Sequence, residues 1–109
     1  MSTPAEITPE RAAELVAAGA QLVDVREPRE HDAGRIANAR HIELDRLTQE
    51  ADSIDRARPV VFYCRVGARS ALATQAFRAA GYEAYNLAGG LAAWVERRLP
   101  IEPEHGRVA

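Results

Sequence analysis

The feature that most constrains the fold is an apolar run that ends in the only cysteine of the chain. Val60–Tyr63 is continuously apolar, which is typical of a strand buried on both faces. A helical pattern begins near Ser70, and the loop between the two, residues 64–70, reads Cys-Arg-Val-Gly-Ala-Arg-Ser. A thiol between a buried strand and a helix N-terminus meets backbone donors that favour its thiolate. Cys64 is therefore a candidate reactive residue.

Apolar runs alternate with helical patterns along the rest of the chain. Thr8-Pro9 predicts an N-cap and a first-turn proline, and residues 21–25 form a second apolar run. Residues 44–54 carry apolar positions at helical spacing, and residues 83–87 predict a last strand. This alternation predicts an α/β fold with a mainly parallel sheet. In such sheets ligands bind beyond the carboxyl ends of the strands, where Cys64 lies.

Length and composition indicate one globular domain. The 109 residues suffice for a single core, expected over about residues 6–101, followed by a short polar C-terminal tail that we expect to be frayed. Hydrophobic residues make up 47% and charged residues 28% of the chain, as in globular proteins. All fourteen basic residues are arginine, which indicates a high-GC, bacterial coding bias.

Charge and hydropathy exclude several classes of partner. A net charge of −2 provides no field that would attract nucleic acid or an anionic membrane. No window approaches the ~20 apolar residues that a membrane span needs, and residues 1–20 carry too many charges for the core of a signal peptide. We therefore expect a cytoplasmic protein that binds neither nucleic acid nor membrane, and we expect a monomer.

The single cysteine narrows the chemistry further. It excludes an intrachain disulfide, a thiolate-rich zinc site and a resolving cysteine for a dithiol cycle. His31, His41 and His105 show no metal-ligand spacing, and none is near Cys64 in sequence. We therefore expect neither a metal nor another cofactor. A cysteine that its own loop ionises also needs no partner histidine.

Two interpretations of the cysteine loop are open at this point. A lone cysteine is often only a small buried hydrophobe. Alternatively, the backbone N–H groups of loop 64–70 curl inward as an anion-binding nest, which would stabilise both a thiolate and a negatively charged substrate. Gly67 permits the positive φ of such a tight loop, although an ordinary turn would select the same residue. The candidate binding residues are Arg65, Val66, Gly67, Ala68, Arg69 and Ser70.

Three side chains of this loop have competing interpretations. Arg65 and Arg69 are either solvated surface charges or cations that steer an anionic substrate. Ser70 is interpreted mainly as the N-cap of the helix that follows.

A second polar group follows the first apolar run. Asp24 inside a strand would be costly unless it accepts hydrogen bonds, so we expect it to tie down a loop. Glu27 fits a structural ion-pair network at this edge of the sheet. Arg26 fits the same network, and a reach into the pocket of Cys64 is equally open. Asp24 and Arg26 are therefore possible supporting residues of the site.

Four stretches of the chain resemble the single-domain rhodanese-like sulfurtransferases, and their shared order and spacing are more specific than any one motif. They lie between about Glu6 and Ile101 and read Asp24-Val25-Arg26-Glu27-Pro28 with Glu30, then residues 34–42, then Cys64 to Ser70, then Tyr85-Asn86-Leu87-Ala88-Gly89-Gly90 with Trp94. The resemblance implies one rhodanese-like domain over residues 1–109. It also implies a three-layer fold, with a mainly parallel central sheet of about five strands and helices on both faces.

The resemblance further implies sulfur transfer at Cys64. The thiolate would take the outer sulfur of a small sulfane donor, such as thiosulfate, a persulfide or a polysulfide, and become a persulfide. A thiol or cyanide acceptor would then remove that sulfur. Because the chain has no second cysteine, the acceptor must be external.

Loop length separates this reaction from related ones. The segment from Cys64 to Arg69 has six residues, the length associated with sulfur transfer in the family, whereas the related phosphatases and arsenate reductases carry one more. A pocket shaped for sulfur should fit phosphate poorly. The alternative to an enzyme is a persulfide carrier or sensing module that delivers sulfur to a partner protein. An inactive binding module ranks low, because it usually lacks the cysteine.

Overall fold

Five strands form the sheet of the computed structural model, which describes residues 4–109; residues 1–3 of the expected domain lie outside it. The strands are β1 Glu6–Ile7, β2 Gln21–Asp24, β3 Arg40–His41, β4 Val60–Tyr63 and β5 Ala84–Leu87. Their order is β1-β5-β4-β2-β3, and every neighbouring pair is parallel. The predicted α/β class with a parallel sheet of about five strands is confirmed.

A helical segment follows each of these strands. The α-helices are α1 Pro9–Ala17, α2 Pro28–Ala33, α3 Leu47–Glu50, α4 Ala68–Ala79 and α5 Gly90–Glu96. The start of α1 is the predicted one, because the Thr8 hydroxyl accepts the Arg11 N–H at 3.1 Å and Pro9 occupies the first turn. No helix within residues 4–109 is long and apolar enough to cross a bilayer.

The sheet has an apolar core on each face, because successive side chains of a strand point to opposite sides. Phe62 packs on one face with Phe77 of α4, at 4.9 Å between ring centroids. Val61 and Tyr63 pack on the other face with Trp94 of α5 and with residues of α1. Strand β4 is the middle strand of the sheet and all its residues are buried. The loops after β2, β4 and β5 therefore meet at one edge.

Two segments differ from the predicted elements. The helix expected over residues 44–54 is divided into a 3₁₀ turn at Leu44–Arg46, the single α-turn α3 and a second 3₁₀ turn at Ala51–Ser53. Apolar spacing sets the buried face of this segment but does not fix its hydrogen-bond pattern. Strand β1 was not predicted either, since two residues carry no periodicity, and its pairing with β5 is a long-range contact.

The expectation of a frayed C-terminal tail is wrong. Arg35 and Glu102 exchange two backbone hydrogen bonds, at 2.8 and 2.7 Å, and the Arg107 N–H donates to the Ala33 carbonyl at 2.8 Å. Val108 packs against the core on the α1 and α5 face. The polar sequence of the tail does not reveal this docking, because these hydrogen bonds are made by backbone groups.

Candidate active site

Cys64 directly follows β4, and its loop leads into α4. The residue at the N-cap of α4 is Gly67, whose φ of 106° lies in the left-handed region, so the predicted positive φ is confirmed. Ser70 is therefore not the N-cap, because the helix begins two residues earlier, at Ala68. Its hydroxyl is instead turned back into the loop.

Two donors converge on the sulfur of Cys64. The Gly67 N–H donates to Sγ over 3.1 Å, and the Ser70 hydroxyl oxygen lies 3.3 Å from Sγ. Burial raises the pKa of the Cys64 thiol, but the Ser70 hydroxyl and the N–H groups of Ser70, Gly67 and Val66 outweigh burial and hold the pKa below its usual value. The loop thus favours a thiolate with no histidine among these donors.

Cys64 is both buried and polarised, so each of the two interpretations of the lone cysteine describes part of what the structure shows. Cys64 is 1% exposed and belongs to the core cluster on the α4 face. A cysteine that served only as a hydrophobe would not need two donors at its sulfur. Arg65, Val66 and Ala68 are exposed around it, so the loop itself forms the surface above the thiol.

The loop rests on the start of α5. Leu91 N–H donates to the Cys64 carbonyl at 2.9 Å, and Ala92 N–H donates to the Arg65 carbonyl at 3.0 Å. A Cβ on Gly90 would lie 2.6 Å from both of these carbonyl oxygens, so only glycine allows this close approach. The double glycine, Gly89 and Gly90, stands at the start of α5, and its contact with the cysteine loop was not predicted. Its position after a strand end was the signal for a role beside the site.

Arg69 is held by an acidic partner. Its guanidinium makes two hydrogen bonds of 2.8 Å to the carboxylate of Glu30, which is buried. The Arg69 guanidinium lowers the pKa of Glu30 to about 2, against a smaller effect of burial. Glu30 also accepts the Glu27 N–H at 3.0 Å and so closes the first turn of α2. Sequence reasoning missed Glu30 as a contact of the cysteine loop.

Asp24 ties down a loop, as expected. Its carboxylate accepts the Arg26 N–H at 2.9 Å, two hydrogen bonds from the Arg26 guanidinium, and a contact of 2.9 Å from His31 Nδ1. The Arg26 guanidinium also donates to the Gly34 carbonyl at 2.7 Å and lies 5.6 Å from the Tyr63 ring centre. Within residues 4–109 the Arg26 guanidinium therefore hydrogen-bonds to Asp24 and Gly34 and not to the cysteine loop.

A cavity of about 400 Å³ opens beside the cysteine loop, between the loop after β2 and the 3₁₀ turn after β3. Its lining residues are Val25, Arg26, Glu27, Glu43, Leu44, Asp45 and Arg69. Within residues 4–109 no cluster of three or more histidine, cysteine or carboxylate side chains is placed to hold a metal ion.

A parallel sheet with a polarised cysteine at the carboxyl end of its middle strand defines a class of α/β proteins built around one reactive loop. The model of the rhodanese-like domain matches residues 8–97 of the chain. The protein therefore belongs to the rhodanese-like domain family.

Named relatives and solved structures agree with this assignment. A sulfurtransferase of Allochromatium vinosum is 38% identical over 86 residues, which cover 78% of this chain and 80% of that protein. The thiosulfate sulfurtransferase GlpE of Pseudomonas paraeruginosa is 35% identical, with 81% of each chain covered. YqhL of Bacillus subtilis is 46% identical over 69% of this chain, a match that spans only 60% of YqhL. The crystal structure of a rhodanese-related protein from Thermoplasma volcanium has a TM-score of 0.83 at 29% identity and covers 88% of this chain and 95% of that chain.

Proposed function

We propose that this protein is a sulfurtransferase that carries a sulfane sulfur on Cys64. The observation that carries the proposal is the pair of donors, Gly67 N–H and Ser70 hydroxyl, at the sulfur of a buried cysteine. A thiolate is the nucleophile that attacks a sulfane sulfur, and a loop that stabilises it prepares that attack. Relatives named sulfurtransferase support the same reaction class.

The first half-reaction loads Cys64. Its thiolate attacks the outer sulfur of thiosulfate, a persulfide or a polysulfide, and a new Sγ–S bond forms. The S–S bond of the donor breaks, and sulfite or a thiolate leaves with the electron pair. The terminal sulfur of the Cys64 persulfide is negatively charged at neutral pH, so the N–H groups of Val66, Gly67 and Ser70, which favour the thiolate, are suited to hold it.

The second half-reaction unloads Cys64. A thiolate or cyanide attacks the terminal sulfur, the Sγ–S bond breaks, and the Cys64 thiolate is regenerated. Arg65 is exposed, whereas Arg69 is engaged by Glu30. Of the two arginines, Arg65 is therefore the one we assign to steering anionic donors such as thiosulfate.

A persulfide carrier for a protein acceptor is the second candidate. The exposed apolar side chains Val66 and Leu72 favour it, at 57% and 61% exposure, because one lies in the cysteine loop and the other in the first turns of α4. Large exposed apolar side chains beside a reactive group suit contact with another protein.

Intact-mass measurement under non-reducing conditions tests the proposal. Thiosulfate, glutathione persulfide or a polysulfide should add one sulfur atom to the wild-type protein and none to Cys64→Ser. A wild type that stays unmodified with all three donors would refute sulfur transfer. Hydrolysis of an aryl phosphate by the wild type, lost in Cys64→Ser, would favour a phosphatase instead.

Discharge kinetics separate the enzyme from the carrier. The loaded protein is mixed with cyanide, glutathione or a candidate protein thiol, and loss of the extra sulfur is followed by mass. Comparable rates with all acceptors support an enzyme that uses small acceptors. Much faster transfer to one protein, reduced in Val66→Ser, supports the carrier.

A further inference from the structure

The Ser70 hydroxyl has one proton and two acceptors at equal distance. Its oxygen lies 3.3 Å from Cys64 Sγ and 3.3 Å from the carbonyl oxygen of Gly67. A hydroxyl donates only one hydrogen bond at a time. Whichever acceptor is less well supplied by other donors therefore receives the proton. The Gly67 carbonyl thus competes with the sulfur for Ser70.

A second side chain settles this competition. Asn86, in β5, donates from Nδ2 to the Gly67 carbonyl at 3.0 Å, and Ala71 N–H donates to the same oxygen at 3.0 Å. A carbonyl oxygen has two lone pairs, so these two shorter bonds fill it. We propose that Asn86 is a positioning residue for Cys64: by occupying the Gly67 carbonyl it directs the Ser70 hydroxyl to the sulfur.

Glu6 holds Asn86 in the required orientation. Glu6 and Asn86 are register partners of β1 and β5, and Asn86 Nδ2 lies 2.9 and 3.1 Å from the two carboxylate oxygens of Glu6. The amide therefore sits between two acceptors, the carboxylate of Glu6 and the carbonyl of Gly67. The short edge strand β1 thus reaches the cysteine loop through one side chain.

The two acceptors that face Nδ2 fix the orientation of the same amide. Asn86 Oδ1 is buried and has no hydrogen-bond partner among the residues described. Reversing the amide would place this oxygen against the Gly67 carbonyl and the Glu6 carboxylate, which are both acceptors. An unsatisfied buried oxygen costs less than that repulsion. The donor face of Asn86 is therefore fixed toward the loop.

This inference deepens the proposed function, since it concerns the same thiol, but its test needs no sulfur donor. Cys64 is the only cysteine, so the rate of alkylation by iodoacetamide against pH reports its thiolate directly. At a pH below the midpoint of each variant, Ser70→Ala should slow alkylation about tenfold, because a hydrogen bond to a charged group is lost. Asn86→Leu should slow it about threefold to tenfold in the same direction.

A double-mutant cycle distinguishes positioning from a general loss of structure. If Asn86 acts through Ser70, Asn86→Leu should have little further effect in the Ser70→Ala background. Full additivity of the two effects, or an unchanged pH profile in Asn86→Leu, would overturn the proposal. Thr74→Val is the matched control: it removes a buried hydroxyl of α4 that bonds the Ser70 carbonyl at 2.9 Å and should leave the profile unchanged.

A smaller change keeps the test decisive if the leucine variant does not fold. Asn86→Ser retains a donor that is one atom too short to reach the Gly67 carbonyl, so it should slow alkylation in the same direction and again not add to Ser70→Ala. A serine variant with the wild-type profile would refute the proposal. Sulfur loading by thiosulfate, measured separately, can fail while this profile shifts, so the two proposals fail independently.

Discussion

Two buried polar groups end neighbouring strands of the sheet, and they are built on opposite principles. At the end of β2, the charges of Asp24 and Arg26 neutralise each other through two side-chain hydrogen bonds, and both side chains are fully buried. At the end of β4, the Cys64 sulfur receives donors that carry no full charge. The register places these groups side by side, since Asp24 is opposite Tyr63.

This difference distinguishes a polar group that supports the fold, after β2, from a reactive one, after β4. Because the charges of Asp24 and Arg26 neutralise each other, the group after β2 suits fixing a loop. The N–H and O–H dipoles around the Cys64 sulfur stabilise its negative charge. They form neither a covalent bond nor an ion pair with the sulfur, so the thiolate keeps its nucleophilicity. The ion pair of Arg69 and Glu30 shares a feature with each group. It is an ion pair, like the one after β2, but it holds the reactive loop in place.

The largest expected loss of stability comes from breaking the ion pair after β2. Arg26→Met removes one partner of a buried ion pair and leaves the Asp24 carboxylate uncompensated, so it should lower the free energy of unfolding by about 3 to 5 kcal/mol. Urea unfolding followed by circular dichroism measures this. Ser70→Ala, in the group after β4, is the comparison and should cost about 1 kcal/mol. Equal losses in the two variants would contradict the distinction.

The next effect concerns the wall shared by the cysteine loop and α5. Gly90→Ala adds a Cβ 2.6 Å from the Cys64 and Arg65 carbonyl oxygens, at a residue whose φ is 63°. The loop must shift, so we expect alkylation of Cys64 to slow and stability to fall by about 1 to 3 kcal/mol. Gly19→Ala is the matched control, with a positive φ but open space around its Cβ. It should lose stability without slowing alkylation.

A smaller loss of stability is expected from removing the ion pair between Glu30 and Arg69. The pKa of Glu30 is lowered to about 2, so its contribution to stability is complete above its ordinary pKa of 4.5 and is lost as the pH falls toward about 2. Glu30→Gln should therefore cost about 1 to 2 kcal/mol at pH 7, a value reduced by the partial exposure of Arg69. The gap between wild type and variant should shrink below about pH 4. A gap that stays constant down to pH 2 would remove the ionic contribution.

The smallest expected effect separates the two arginines of the loop. Arg65→Ala should raise the KM for thiosulfate more than the KM for an uncharged organic trisulfide, by about twofold to fivefold, because an exposed charge is screened. Arg69→Ala should affect both donors alike, since its partner is Glu30. A donor-specific effect in Arg69→Ala instead would return the steering role to that residue.

The sequence predicted those parts of the molecule that depend on local pattern. The apolar run Val60–Tyr63 predicted a strand buried on both faces, and glycine at position 67 indicated where the loop could take a positive φ. The sequence could not predict the contacts between residues that are far apart in the chain. The bond between Glu6 and Asn86 spans 80 residues, and the bond between Glu30 and Arg69 spans 39.

The role of Ser70 was missed for a related reason. A serine near the start of a helix suggests an N-cap, but the left-handed Gly67 takes that position and moves Ser70 into the helix. Arg65 and Arg69 looked equivalent in sequence because both lie in the cysteine loop. Only the buried position of Glu30 in the first turn of α2 distinguishes them.

The central claim is that the folded loop holds Cys64 as a thiolate more readily than the unfolded chain does. The most direct measurement is the pH dependence of Cys64 alkylation in the native protein and in the same protein unfolded in urea. We predict that the native midpoint lies at lower pH than the unfolded one, since the loop donors lower the pKa despite burial. A native midpoint equal to or above the unfolded one would contradict the account.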